Sequence, residues 1–94
     1  MANFDIGETV ICSIEVRNAA GTLVDPSTSM QIAIDWIKPN FGNIITATNM
    51  TKDSTGKYHY DFASAGKQAG SYQVIYTATD GTRITIEKET FSLE

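Results

Sequence analysis

The chain has one histidine and one cysteine, and any chemistry turns on what surrounds them. His59 lies in "DSTGKYHYDF", residues 53 to 62, with Lys57 and Asp61 on the same parity. An imidazole beside a carboxylate can serve as a general base or a metal ligand, but each role needs convergent partners. There is no second histidine, and no thiol shares the parity of His59, so a solvated strand residue is expected there. Cys12 falls between Val10 and Ile14 at strand spacing, which marks a small core residue rather than a nucleophile. Asp25, Asp53 and Asp80 sit in turn segments, where aspartate accepts from its own backbone. The sequence carries no D-x-D-x-D-G run for calcium, and no G-x-S-x-G, P-loop, H-E-x-x-H or glycine-rich nucleotide loop. These residues predict no enzyme, no metal site and no cofactor.

The elements that hold these residues read with period two almost throughout. "TVICSIEVR" places Val10, Cys12, Ile14 and Val16 on one face, and "SMQIAIDWIKP" does the same with Met30, Ile32, Ile34 and Trp36. Tyr58, Tyr60 and Phe62 form a third stripe; Tyr72, Val74 and Tyr76 form a fourth; Ile84 and Ile86 form a fifth. Alternation of this kind belongs to half-buried antiparallel strands. No segment has apolar residues at helical spacing over ten positions, so no substantial helix is expected. Turn signals separate the strands: Gly21 and Asp25-Pro26, Pro39 and Gly42, Asp53 and Gly56, and Asp80-Gly81 as the strongest hairpin signal. About seven short strands without helices between them predict an all-β, immunoglobulin-like antiparallel sandwich. Trp36 is the candidate for the buried tryptophan of such a fold, and Tyr72, just after Gly70, stands where a tyrosine corner belongs.

Residues 1–94 make a single domain by length. One cysteine rules out an internal disulfide, so the core must carry the stability. A net charge of −4 with seven scattered Lys and Arg excludes the clustered basic surface that nucleic acid requires. The start "MANFDIGETV" has neither a basic opening nor an apolar run, so no signal peptide is expected, and no stretch is long enough to cross a bilayer as a helix. Synthesis in the cytosol without export is the expectation.

The aromatic stripes raise the alternative of a sugar or nucleotide platform. That would turn the tyrosines outward and leave their strands nothing to bury, so neighbouring stripes on one inner face are predicted instead. Four apolar residues besides these break the inward parity or sit at a loop tip and are the candidate protein-interface residues: Ile37, Phe41, Ile45 and Ile75; Ile11 also breaks parity. Ile84 and Ile86 share one parity while Phe91 and Leu93 share the other, so a bulge or bend near Lys88–Thr90 is expected to reconcile them.

"FDIGETVICSIEVRNAAGTLVDPSTSMQIAI", "MTKDSTGKYHYDF" and "AGSYQVIYTATDGTRITIEKETFSLE" together resemble a family of small immunoglobulin-like proteins of tailed bacteriophages. The matching elements are Gly7, Gly21, Leu23, Asp25 and Pro26, then Asp53 to Gly56 with Tyr58, then Gly70, Tyr72, Phe91 and Leu93. They cover nearly the whole chain; "KPNFGN" departs from the family pattern by its spacing and aromatic tip. The resemblance implies a virion structural protein assembled in the host cytoplasm. The role it implies first is capsid decoration, with the major capsid protein or other virion proteins as partners and a trimer on a capsid three-fold as one arrangement. A head–tail connector or tail component is the neighbouring role, and an immunoglobulin-like module of a bacterial cell-surface or exported protein is the competing class.

Overall fold

Residues 2–39 and 41–94 are described by a computed structural model. Eight strands form: β1 (Ala2–Phe4), β2 (Thr9–Glu15), β3 (Ser29–Lys38), β4 (Gly42–Asn49), β5 (Thr51–Ser54), β6 (Lys57–Ala63), β7 (Gly70–Asp80) and β8 (Arg83–Leu93). No helix occurs among the described residues. A five-stranded sheet runs β1-β8-β7-β3-β4, and a three-stranded sheet runs β2-β6-β5. This is the strand order of an immunoglobulin-like sandwich, with β4 added beside β3 and the short β1 lying parallel on the end of β8. The expected seven strands become eight because β1 and β5, only three and four residues long, carry too little alternation to stand out.

The inward stripes follow the expected parities. Val10 and Cys12 from β2 and Tyr58 and Phe62 from β6 face Met30, Ile32 and Ile34 from β3 and Tyr72, Val74, Tyr76 and Ala78 from β7. Each large apolar side chain so buried contributes about 1.5–3 kcal/mol. The two tyrosine stripes correct the prediction of one shared inner face. "SAGKQAGS" carries the chain from β6 in one sheet to β7 in the other, so the stripes oppose each other across the core. Phe62 meets Tyr72 at 6.3 Å and Phe91 at 6.0 Å between ring centroids, and Tyr72 stacks on Phe91 at 5.2 Å.

Tyr72 is a tyrosine corner: its hydroxyl donates to the Gln68 carbonyl at 2.6 Å. Trp36 stacks on Tyr72 at 6.5 Å but is only half-buried, and its Nε1–H is a buried donor without a partner among the described residues. The indole lies over Gly70, where an added Cβ would come within 2.6 Å of Nε1 and 2.0 Å of the Lys38 carbonyl oxygen. Gly70, at φ +142°, is therefore demanded by close approach as well as by conformation.

The expected bulge in β8 does not exist. β7 and β8 pair without a break from Gly70↔Leu93 to Asp80↔Arg83. The turn is one residue later than the Asp-Gly signal suggests: Gly81 and Thr82 are the central pair, and Gly81 alone takes positive φ, at +64°. A glycine at the first central position fits the type II′ hairpin family. With that register fixed, the core parity of β7 maps onto Phe91, Glu89, Glu87 and Thr85, and Ile84 and Ile86 turn to the outer face. Two of the six residues on the inner side of β8, Glu87 and Glu89, are acidic rather than apolar.

Candidate functional site

The outer face of the three-stranded sheet carries the histidine. His59 pairs with Ser13 on β2 and Thr51 on β5. Its Nδ1 lies 2.6 Å from Asp53 Oδ1, and its Nε2 lies 3.9 Å from Asp61 Oδ1. The solvated strand residue expected from sequence is thus half-buried between two carboxylates. Asp53 ties this ring rather than its own backbone, which corrects the turn-capping expectation. Serine, histidine and aspartate are present here by type, but no hydrogen bond joins Ser13 to His59. Among the described residues no three His, Cys, Asp or Glu side chains are placed to hold a metal ion.

A second cluster lies where the β2–β3 connection meets the β5–β6 turn. Asp25 Oδ1 accepts from the Gly56 amide at 2.8 Å and from the Tyr58 hydroxyl at 3.1 Å, while Oδ2 accepts from Lys52 Nζ at 2.6 Å. The ammonium and these donors hold the Asp25 carboxyl below the usual aspartate value, Lys52 first. Lys52 is raised in turn by Asp25, and the Tyr58 phenol is raised by burial and then by the same carboxylate. Gly56 is buried at φ +73°, and a Cβ there would lie 2.8 Å from the Val16 oxygen and 2.9 Å from the Val24 nitrogen. The cluster is a lock between two turns, and its chemistry is structural. Asp80 behaves alike: it accepts from the Ser27 amide at 3.3 Å, and Ser27, through its side chain first and its backbone second, holds the Asp80 carboxyl below the usual value.

Between the β2 and β8 edges the sandwich opens. A cleft there is lined by Phe4, Val10, Cys12, Glu89 and Phe91. The Tyr76 hydroxyl donates to Glu89 Oε1 at 2.5 Å, which turns this inward acid into a capped one. Burial, then Glu89, pushes the Cys12 thiol up to about 11, and burial first raises the Tyr76 phenol as well. A thiol held protonated in this way is a poor nucleophile and fits the core role expected of Cys12.

The four candidate interface residues do not share one face. Ile75 lies half-buried at the centre of the outer face of the five-stranded sheet, opposite Ala33 and Lys88. Ile37 occupies a register shift in β3 between Trp36 and Lys38. Phe41, 71 % exposed, projects from the β3–β4 turn. Ile45 pairs with Ile34 and packs against the core, because register shifts in β3–β4 bring both Ile44 and Ile45 onto it. Sequence reasoning did not single out β8 as an interface. Ile84 and Ile86 are 64 % and 57 % exposed, and among the described residues Arg83–Thr90 pairs only with β7, since β1 covers Phe91–Leu93 alone. The signal was there in "RITIEKET", eight residues without proline or glycine, but its parity was assigned to the core.

No protein-family model, no curated protein and no solved structure matches this chain.

Proposed function

We propose that this chain is a non-enzymatic structural protein of a bacteriophage virion, binding the outer surface of the head as a decoration or cement protein. The observation that carries the reading is the meeting of Asp25 with Gly56 and Tyr58. These residues belong to two of the motifs on which the resemblance rests, and they close on one another across 31 and 33 residues of chain. The two motifs thus act together as one lock in the fold, which supports reading them as a single family pattern. The surface suits such a role: exposed apolar residues on an outer face and a loop tip, and a strand edge open to a partner. Many copies on a symmetric shell would let a modest contact hold by avidity.

The test is the copy number of this chain in purified particles, read by quantitative mass spectrometry. Hundreds of copies per particle are expected for decoration. Six or twelve, on the order of a single vertex's symmetry, would move it to the head–tail junction or tail. Absence from particles would overturn the virion reading and favour a cell-surface module.

A further inference from the structure

We infer that the free edge of β8 pairs antiparallel with the β8 edge of a second copy of this chain, joining two five-stranded sheets across a two-fold axis. The edge is long, unbroken by any register shift, and flanked on the outer face by Ile84 and Ile86. Unpaired edges of this kind are templates for strand addition unless they are blunted by bulges, proline or charge. β8 has neither bulge nor proline, and its charges are arranged to suit a copy of itself.

The charges select the register. With Thr85 on the two-fold, Ile84 of each copy lies against Ile86 of the other, and Arg83 lies against Glu87. Both pairs occur twice, and residues of like parity face the same side, as an antiparallel ladder demands. Lys88 then falls opposite Thr82 in the turn and meets no like charge. Moving the axis to Ile86 sets Ile84 against Lys88. Moving it to Glu87 sets that carboxylate against itself, and moving it to Lys88 sets ammonium against ammonium and Glu87 against Glu89. Like charges directly opposite destabilise a sheet pair, whereas opposite charges and apolar pairs stabilise it. Only the Thr85 axis satisfies both isoleucines and both charges. It joins Ile84 and Ile86 of the two copies into one outer-face patch.

Light scattering coupled to size exclusion tests this directly. At roughly 100 µM, about 100-fold above a micromolar Kd, the chain is expected at twice its 10.2 kDa monomer mass. Arg83→Glu and Glu87→Arg should each run as monomers with unchanged circular dichroism. Mixed in equal amounts they should regain the dimer, because each variant then meets its opposite charge at both pairs. A monomeric wild type overturns the proposal, as does an Arg83→Glu variant that stays dimeric. So does a mixture of the two monomeric variants that fails to associate.

Discussion

The Asp25 carboxylate and the Gly56 amide, 31 residues apart, are joined by a hydrogen bond of 2.8 Å that ties the β5–β6 turn to the β2–β3 connection. Val16 donates to the Gly56 carbonyl at 2.7 Å and Val24 donates to the Val16 carbonyl at 3.0 Å, so the same turn also anchors both ends of the β2–β3 connection. Gly56 is the one residue type that fits. Gly56→Ala must hold a left-handed φ, costing about 1–2 kcal/mol, and must also push its Cβ into two backbone segments. A loss of at least about 2 kcal/mol is expected in urea unfolding, with the transition moved and its slope kept. A midpoint within error of wild type would show that the turn relaxes freely.

The same carboxylate makes stability depend on acid. Its folded value lies below the ordinary 3.8, with Lys52 the first cause. The unfolded chain therefore takes up the proton first, so the contribution is present above about pH 4 and lost as pH falls through the folded value. Asp25→Asn should be less stable than wild type at pH 7 and should lose less between pH 5 and about pH 3. Parallel acid profiles for the two proteins would remove Asp25 from the account.

Tyr72 separates two contributions that sequence alone merges. Its ring is buried against Phe62, Phe91 and Trp36, while its hydroxyl closes the corner onto Gln68. Tyr72→Phe keeps the ring and should cost about 0.5–1.5 kcal/mol, the net value of one hydrogen bond. Tyr72→Ala should cost about 3–5 kcal/mol. Equal losses from the two substitutions would mean that the corner, not the packing, holds β7.

At the alkaline end the sign reverses. The Cys12 thiol is raised from 9.0 to about 11, chiefly by burial, and Tyr76 is raised too. The folded state holds these protons more tightly than the unfolded chain. The stability that Cys12 contributes is complete below about pH 9 and is lost as pH rises toward about 11, while that of Tyr76 starts to be lost only above its ordinary value of 10. Native protein at pH 8 should label with a thiol reagent far more slowly than protein in urea, and Cys12→Ala should flatten the decline of the urea midpoint above pH 9. Rapid labelling of the native chain would contradict the buried, protonated thiol.

Strand existence and facing were legible because the core side chains of β2, β3, β6 and β7 alternate cleanly, and alternation has only one physical reading in short segments. Tyr72 was legible as a corner because glycine precedes it at a strand start. What sequence could not carry was any relation between segments. The β6 and β7 stripes look alike whether they lie side by side or face to face, and only the crossing connection decides. In β8 the two parities compete, and the hairpin register settles the matter in favour of Phe91 and Leu93. The aspartates were misread for the same reason: Asp25 and Asp53 serve partners in other turns and strands, which local rules for turn residues do not see.

Position in the fold also ranks three of the four apolar candidates. Phe41 stands free at the β3–β4 turn, so Phe41→Asp should leave stability within about 0.5 kcal/mol. Ile75→Asp places a charge on an open sheet face beside Lys88 and should fold as well. Ile45→Asp sets a carboxylate beside Ile34, which is fully buried, and should cost about 2 kcal/mol or more. Thermal melts divide these three before any partner is offered. Among the variants that fold, a docking surface on the outer face predicts fewer copies of Ile75→Asp per particle, and a docking loop predicts fewer copies of Phe41→Asp. If both variants load at wild-type copy number, neither residue meets the partner. Contact would then fall to the remaining exposed apolar positions, of which Ile84 and Ile86 on β8 and Ile11 on the opposite sheet are the largest.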